Sequence, residues 1–146
     1  MQEKNLMVAF PVGLAASGVM TVVMLLTPLV GLPEINIPRL LANWMGTSLS
    51  MGMLTYFLLG VGLSVFFATI FSRWLVAPAW LQGLLFGVVL WLFFMVMGSP
   101  LIGWGLFASN TGSPGGTLIT SLLGHFSFGA TLGFAYEKTG MRVWSM

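Results

Sequence analysis

The chain has 146 residues, 58% of them apolar and 5% charged, with five Lys or Arg against three Asp or Glu and a single His. A soluble domain carries about 25% charged residues, so too little polar surface exists here to face water, and the solvent implied is lipid. Five cations are too few for a nucleic-acid footprint, and a sequence without cysteine excludes disulfides, thiolate chemistry and iron–sulfur ligation.

The first apolar run follows Met1–Asn5 and extends from Leu6 to Val30. A cleaved signal peptide has a shorter apolar stretch of roughly 7–15 residues before a small-residue cleavage site. Here the run continues well past Ala15-Ala16-Ser17, and it reads as a retained first span, about 7–29. Three further runs, about 50–71, 79–97 and 117–136, are each long enough to cross a hydrocarbon core, which takes about 20 helical residues. In lipid the main chain must satisfy its own hydrogen bonds, so the expected fold is all-α, a single domain of four transmembrane helices.

Between the first two runs, Asn36 or Ile37 can cap a short helix, with Pro38 in its first turn and Gly46 ending it. That predicts an interfacial helix over 38–45, with Leu40, Leu41, Trp44 and Met45 on one face. The loop 98–116 is uncharged and rich in Gly, Ser and aromatic residues, as expected of a loop folded back on the helix ends. Prolines 11, 28, 78 and 100 fall at the ends of runs, which predicts no span broken in its middle. Lys4, Arg73, Lys138 and Arg142 fall on one side of a four-span chain and Arg39 on the other, so the positive-inside rule places both termini in the cytoplasm.

The two halves read as copies of one helical hairpin. Thr27-Pro28-Leu29-Val30-Gly31 matches Ser99-Pro100-Leu101-Ile102-Gly103, and Gly13 and Ser17 match Gly83 and Gly87. In the even spans Gly52, Tyr56, Gly60 and Ser64 align with Ser121, His125, Gly129 and Gly133. Residues four apart share a helix face, so these positions form small-residue stripes of the kind that lets membrane helices approach closely.

His125 sits midway along the fourth span, where an ionisable group is a functional candidate. It offers a ligand for haem or a pigment, a proton relay, or only a hydrogen bond across the bundle. A single histidine gives no bis-histidine ligation within one chain. Tyr56 occupies the equivalent position in the second span, which predicts a Tyr56–His125 hydrogen bond near the centre. Met20, Met24, Met51, Met53, Met95 and Met97 carry thioethers of the type Cu(I) takes, but within apolar runs methionine ordinarily fills gaps. Glu34, Arg39 and Trp44 mark the loop after the first span as boundary or loop-fixing residues. The sequence has no aspartate, no phosphate loop, no paired carboxylates in a span and no metal-spaced His cluster, so neither a catalytic site nor a cofactor is predicted.

Gly13-Leu14-Ala15-Ala16, Leu29-Val30-Gly31-Leu32-Pro33, Ile37-Pro38-Arg39-Leu40-Leu41, Leu123-Gly124-His125-Phe126 with Gly129, and Leu132-Gly133-Phe134-Ala135-Tyr136 together resemble a bacterial family of small four-span membrane proteins, a domain of unknown function. The resemblance implies four spans and a bacterial inner membrane. It also implies a histidine where this chain has Tyr56, hence half of any paired-histidine site is missing. The expected role is a non-catalytic accessory or structural subunit. It would pack into a larger, energy-converting membrane complex or into an oligomer of itself. The alternatives are a small oligomeric pore or transporter, or a subunit holding haem, quinone or pigment against His125.

Overall fold

In a computed structural model, residues 2–138 are described, so Arg142 lies outside the described residues. The described residues are almost wholly helical: α1 Gln2–Leu26, α2 Ile37–Met45, α3 Leu49–Thr69, α4 Ala79–Phe93, α5 Ser99–Leu101 and α6 Pro114–Lys138. Four helices are long and apolar enough to cross a membrane: Met7–Val30, Leu49–Arg73, Ala79–Leu101 and Pro114–Lys138. Their exterior is hydrocarbon, with Phe10, Val22, Leu58, Phe93 and Phe134 all exposed.

One of the four proline expectations needs correction. Pro11 lies inside α1, because the polar residues from Gln2 onward extend the helix upstream of the apolar run. Pro100 stands one residue before the end of the third long helix, as expected, but the helix changes form before reaching it. The chain passes from α4 through a π-helical turn, Phe94–Gly98, directly into α5. Proline has no N–H and its ring crowds the carbonyl four residues back, here that of Val96. The wider π turn gives that carbonyl room. By contrast, α1 closes on a tighter 3-10 turn, Thr27–Val30, stopped by Gly31 at φ 78°.

Around the bundle, α3 packs on α1, α1 on α6, and α6 on α4, while α2 folds back on the start of α3. The first and last helices are therefore the inner pair. Ala9, Val12, Ala16, Met20 and Met24 of α1 meet Phe128, Leu132 and Tyr136 of α6 in the core, joined by Phe67 and Phe86. The α3–α4 side is bridged by rings: Phe86 lies 5.2 Å from Phe67 and 4.8 Å from Phe71, and Tyr136 lies 5.6 Å from Phe67. This aromatic cluster is at the end where α3 and α6 terminate, opposite α2.

Candidate functional site

The small-residue stripes are where helices meet. On one hairpin, Gly13 and Ser17 of α1 lie against Gly60 and Ser64 of α3. A Cβ added at Gly13 would come 2.6 Å from the Cα of Val61 and 2.8 Å from the carbonyl oxygen of Gly60. On the other, Gly83 and Gly87 of α4 lie against Gly129 and Gly133 of α6. A Cβ at Gly129 would come 2.8 Å from the Cα of Gly87. Gly52 is used differently. It faces α2, where an added Cβ would meet the Pro38 carbonyl and come 2.8 Å from the Cβ of Ala42.

Polar side chains line the same seams. Tyr56 donates its hydroxyl hydrogen to the Ser17 carbonyl at 2.9 Å, and Thr21 Oγ1 lies 2.9 Å from that carbonyl and 3.3 Å from the Tyr56 oxygen. Ser64 and Tyr136 hydroxyls are 3.0 Å apart. Ser121 donates to the Leu118 carbonyl and accepts from the Trp91 indole, both at 3.0 Å.

His125 is not the partner of Tyr56, contrary to the pairing expected from sequence. Its Nδ1 lies 2.8 Å from the Ser121 carbonyl in its own helix, and its ring stacks on Phe94 at 5.5 Å. A carbonyl only accepts, so Nδ1 carries the hydrogen and Nε2 is left as an acceptor. Tyr56 turns instead to the adjacent α1, because the close Gly60–Ser17 approach brings a main-chain carbonyl within its reach. Among the described residues no group of three or more His, Cys, Asp or Glu is placed to hold a metal.

At the α2 end, Asn36 Oδ1 accepts from the Arg39 main-chain N–H at 3.0 Å, and Gly46 closes the helix at φ 63°. Glu34, Arg39 and Trp44 are exposed. The apolar residues of α2 divide between the bundle and the outside. Ala42 is buried and Ile37 and Leu40 pack on the core, whereas Trp44 and Met45 point outward. The physical reason is Gly52, whose bare backbone accepts Ala42 rather than a larger side chain.

Three polar anchors were not singled out from the sequence. Gln82, fully buried, donates to the carbonyls of Leu75 and Ala77 at 2.8 and 2.7 Å, holding the α3–α4 connection. The Pro33 carbonyl accepts from Thr120 at 3.0 Å and from Thr27 at 3.3 Å, tying the first loop to α6. Ser99 donates to the Gly105 carbonyl at 2.7 Å and accepts from the Ala108 N–H at 3.2 Å, folding the second loop. Gln82 had a signal, since it is the only amide side chain within the four apolar runs.

The described residues also form concavities. A cleft of about 230 Å³ between α1, α2 and α3 is lined by Thr21, Met24, Asn36, Pro38, Met53 and Tyr56 among others. A shallow groove of about 490 Å³ runs along the outer face of α6 beside α1, lined by Val19, Ser127, Ala130, Thr131, Phe134, Ala135 and Lys138. The hydroxyls of Ser127 and Thr131 are bonded to carbonyls of their own helix at 2.7 and 2.8 Å.

Neither a curated protein nor a solved structure matches this chain. One family profile does, over residues 3–143, so the chain belongs to the family of unknown function DUF6789.

Proposed function

We propose that the protein is a non-catalytic subunit of a bacterial inner membrane, crossing it four times with both termini in the cytoplasm. It works by helix packing, against further copies of itself or within a larger, energy-converting complex. The observation that carries this reading is the α1–α6 groove. Along α6, beside Val19 of α1, it offers the small residues Ser127, Ala130, Thr131 and Ala135 with Phe134 among them, and both hydroxyls already have partners within the helix. Above Lys138 at its end, such a surface admits another apolar helix without leaving a hydroxyl unsatisfied. The distribution of cations supports the orientation: Arg73 and Lys138 lie at the end opposite Arg39. The two hairpins descend from one duplicated unit, a reading supported by the parallel between Gly13, Gly60 and Ser64 in one and Gly83, Gly129 and Gly133 in the other.

Mild-detergent extraction from the native membrane, read by mass spectrometry and absorption together, tests the reading. Stoichiometric co-purifying subunits, or an oligomer that Ala130→Phe disperses, are the expected results. A lone oligomer indifferent to Ala130→Phe would overturn it in favour of a pore or transporter. A visible absorption band lost in His125→Ala would do so in favour of a haem or pigment subunit.

A further inference from the structure

The cleft between α1, α2 and α3 differs from the outer groove in being a recess with a polar mouth and an apolar wall. Its volume, about 230 Å³, exceeds the roughly 150 Å³ that suffices for a benzene in an engineered dry cavity. At its wall stand Tyr56 and Thr21, whose hydrogens are already committed. Tyr56 donates to the Ser17 carbonyl, and Thr21 has both that carbonyl and the Tyr56 oxygen within reach. Hydrocarbon laid against that wall leaves nothing unsatisfied. At the mouth, capping of α2 fixes the Asn36 amide: Oδ1 takes the Arg39 N–H, so the NH₂ group is the one left to donate outward. Glu34 and Arg39, both exposed, flank the lining segment Ile35–Pro38 with one charge of each sign.

We propose that this cleft holds one acyl chain of a zwitterionic phospholipid from the surrounding bilayer. The chain lies along Met24, Met53 and Tyr56. The ester carbonyl accepts from the Asn36 amide, the phosphate faces Arg39 and the head-group ammonium faces Glu34. Opposite charges at the rim match a head group carrying both signs, and α2, with Trp44 outward, lies where head groups lie. The proposal rests on membrane insertion, but not on the subunit role argued above.

The test reconstitutes the full chain in nanodiscs containing phosphatidylethanolamine with a diazirine on one acyl chain, and maps cross-links after illumination. Cross-links are expected to concentrate on Met24, Met53 and Tyr56 over the exposed positions Leu58 and Val89, and to vanish there in Met53→Trp, which fills the cleft. Asn36→Asp keeps a good helix cap but removes the donor, so cross-linking at the cleft should fall about two- to tenfold, as for one lost hydrogen bond. Unchanged helical content by circular dichroism shows that both variants fold. Cross-links spread evenly over the exposed helix faces, or unaffected by Met53→Trp, would overturn the lipid site. Failure of the folded chain to enter nanodiscs would overturn the membrane reading itself.

Discussion

The hydroxyl oxygens of Tyr136 and Ser64 lie 3.0 Å apart, and that of Tyr136 is also 3.3 Å from the Ser64 carbonyl. The contact joins α6 to α3, although α3 packs chiefly on α1 and α6 chiefly on α1 and α4. Both residues are buried. Hydrogen bonds between membrane helices average about 0.6 kcal/mol and reach about 1.7. A Tyr136→Phe, Ser64→Ala double-mutant cycle on unfolding in mixed micelles should give a coupling in that range. A coupling of zero would show that the two hydroxyls act independently.

Gly83→Ala should destabilise the α4–α6 pair by about 1–3 kcal/mol, as overpacking does. The added carbon would come 2.6 Å from the Cα of Gly133. Gly62→Ala is the matched control, since nothing lies within 4 Å of a carbon added there, and it should stabilise by up to about 1 kcal/mol through helix propensity. Thermal unfolding in detergent ranks the two. Equal effects would mean that the glycines matter through helix propensity rather than approach.

Ser99→Ala should loosen the loop after α5. It removes the donor to the Gly105 carbonyl and the acceptor for the Ala108 N–H, both supplied by a side chain with no exposed surface. The Ala108 N–H keeps the Gly105 carbonyl at 3.3 Å, so the loss is that of two hydrogen bonds, together about 1–3 kcal/mol. Phe107 and Ala108 have left-handed backbone at φ 51° and 59°, a conformation that persists only when neighbours hold it. Limited proteolysis should find new cleavage between Gly103 and Gly112 in the variant, and protection equal to the parent would refute the prediction.

His125→Phe keeps a ring to stack on Phe94 and forfeits only a bond within the same helix. The subunit reading expects little change in thermal stability and undiminished assembly. Loss of co-purifying partners with the fold intact would show that the free Nε2 meets one of them.

Much of the fold is legible in the sequence because each long helix declares itself by apolar length alone. The helix α2 is legible too, since Asn36, Pro38 and Gly46 specify start and stop locally. The glycine spacing identifies which face of each helix is bare, but not which helix it meets. Gly52 thus faced α2 rather than a second long helix. The Tyr56–His125 pairing failed for a related reason. Spacing fixes a residue's angle on its own helix, while its partner depends on how helices rotate against each other. Pro100 marked the end of the third long helix, but not the widened turn Phe94–Gly98 before it, which no local residue pattern declares.

Placing the first and last helices at the centre has a consequence for biosynthesis. A ribosome releases α1 long before α6, so the partner for Ala9, Val12, Ala16, Met20 and Met24 arrives only after the intervening helices have been made. Until then α1 can complete its seam with α3 alone, and its other face must rest against lipid or the insertion machinery. Truncation before α6 therefore removes Phe128, Leu132 and Tyr136 from the core rather than an appendage, and assembly of this bundle waits for the last of its helices.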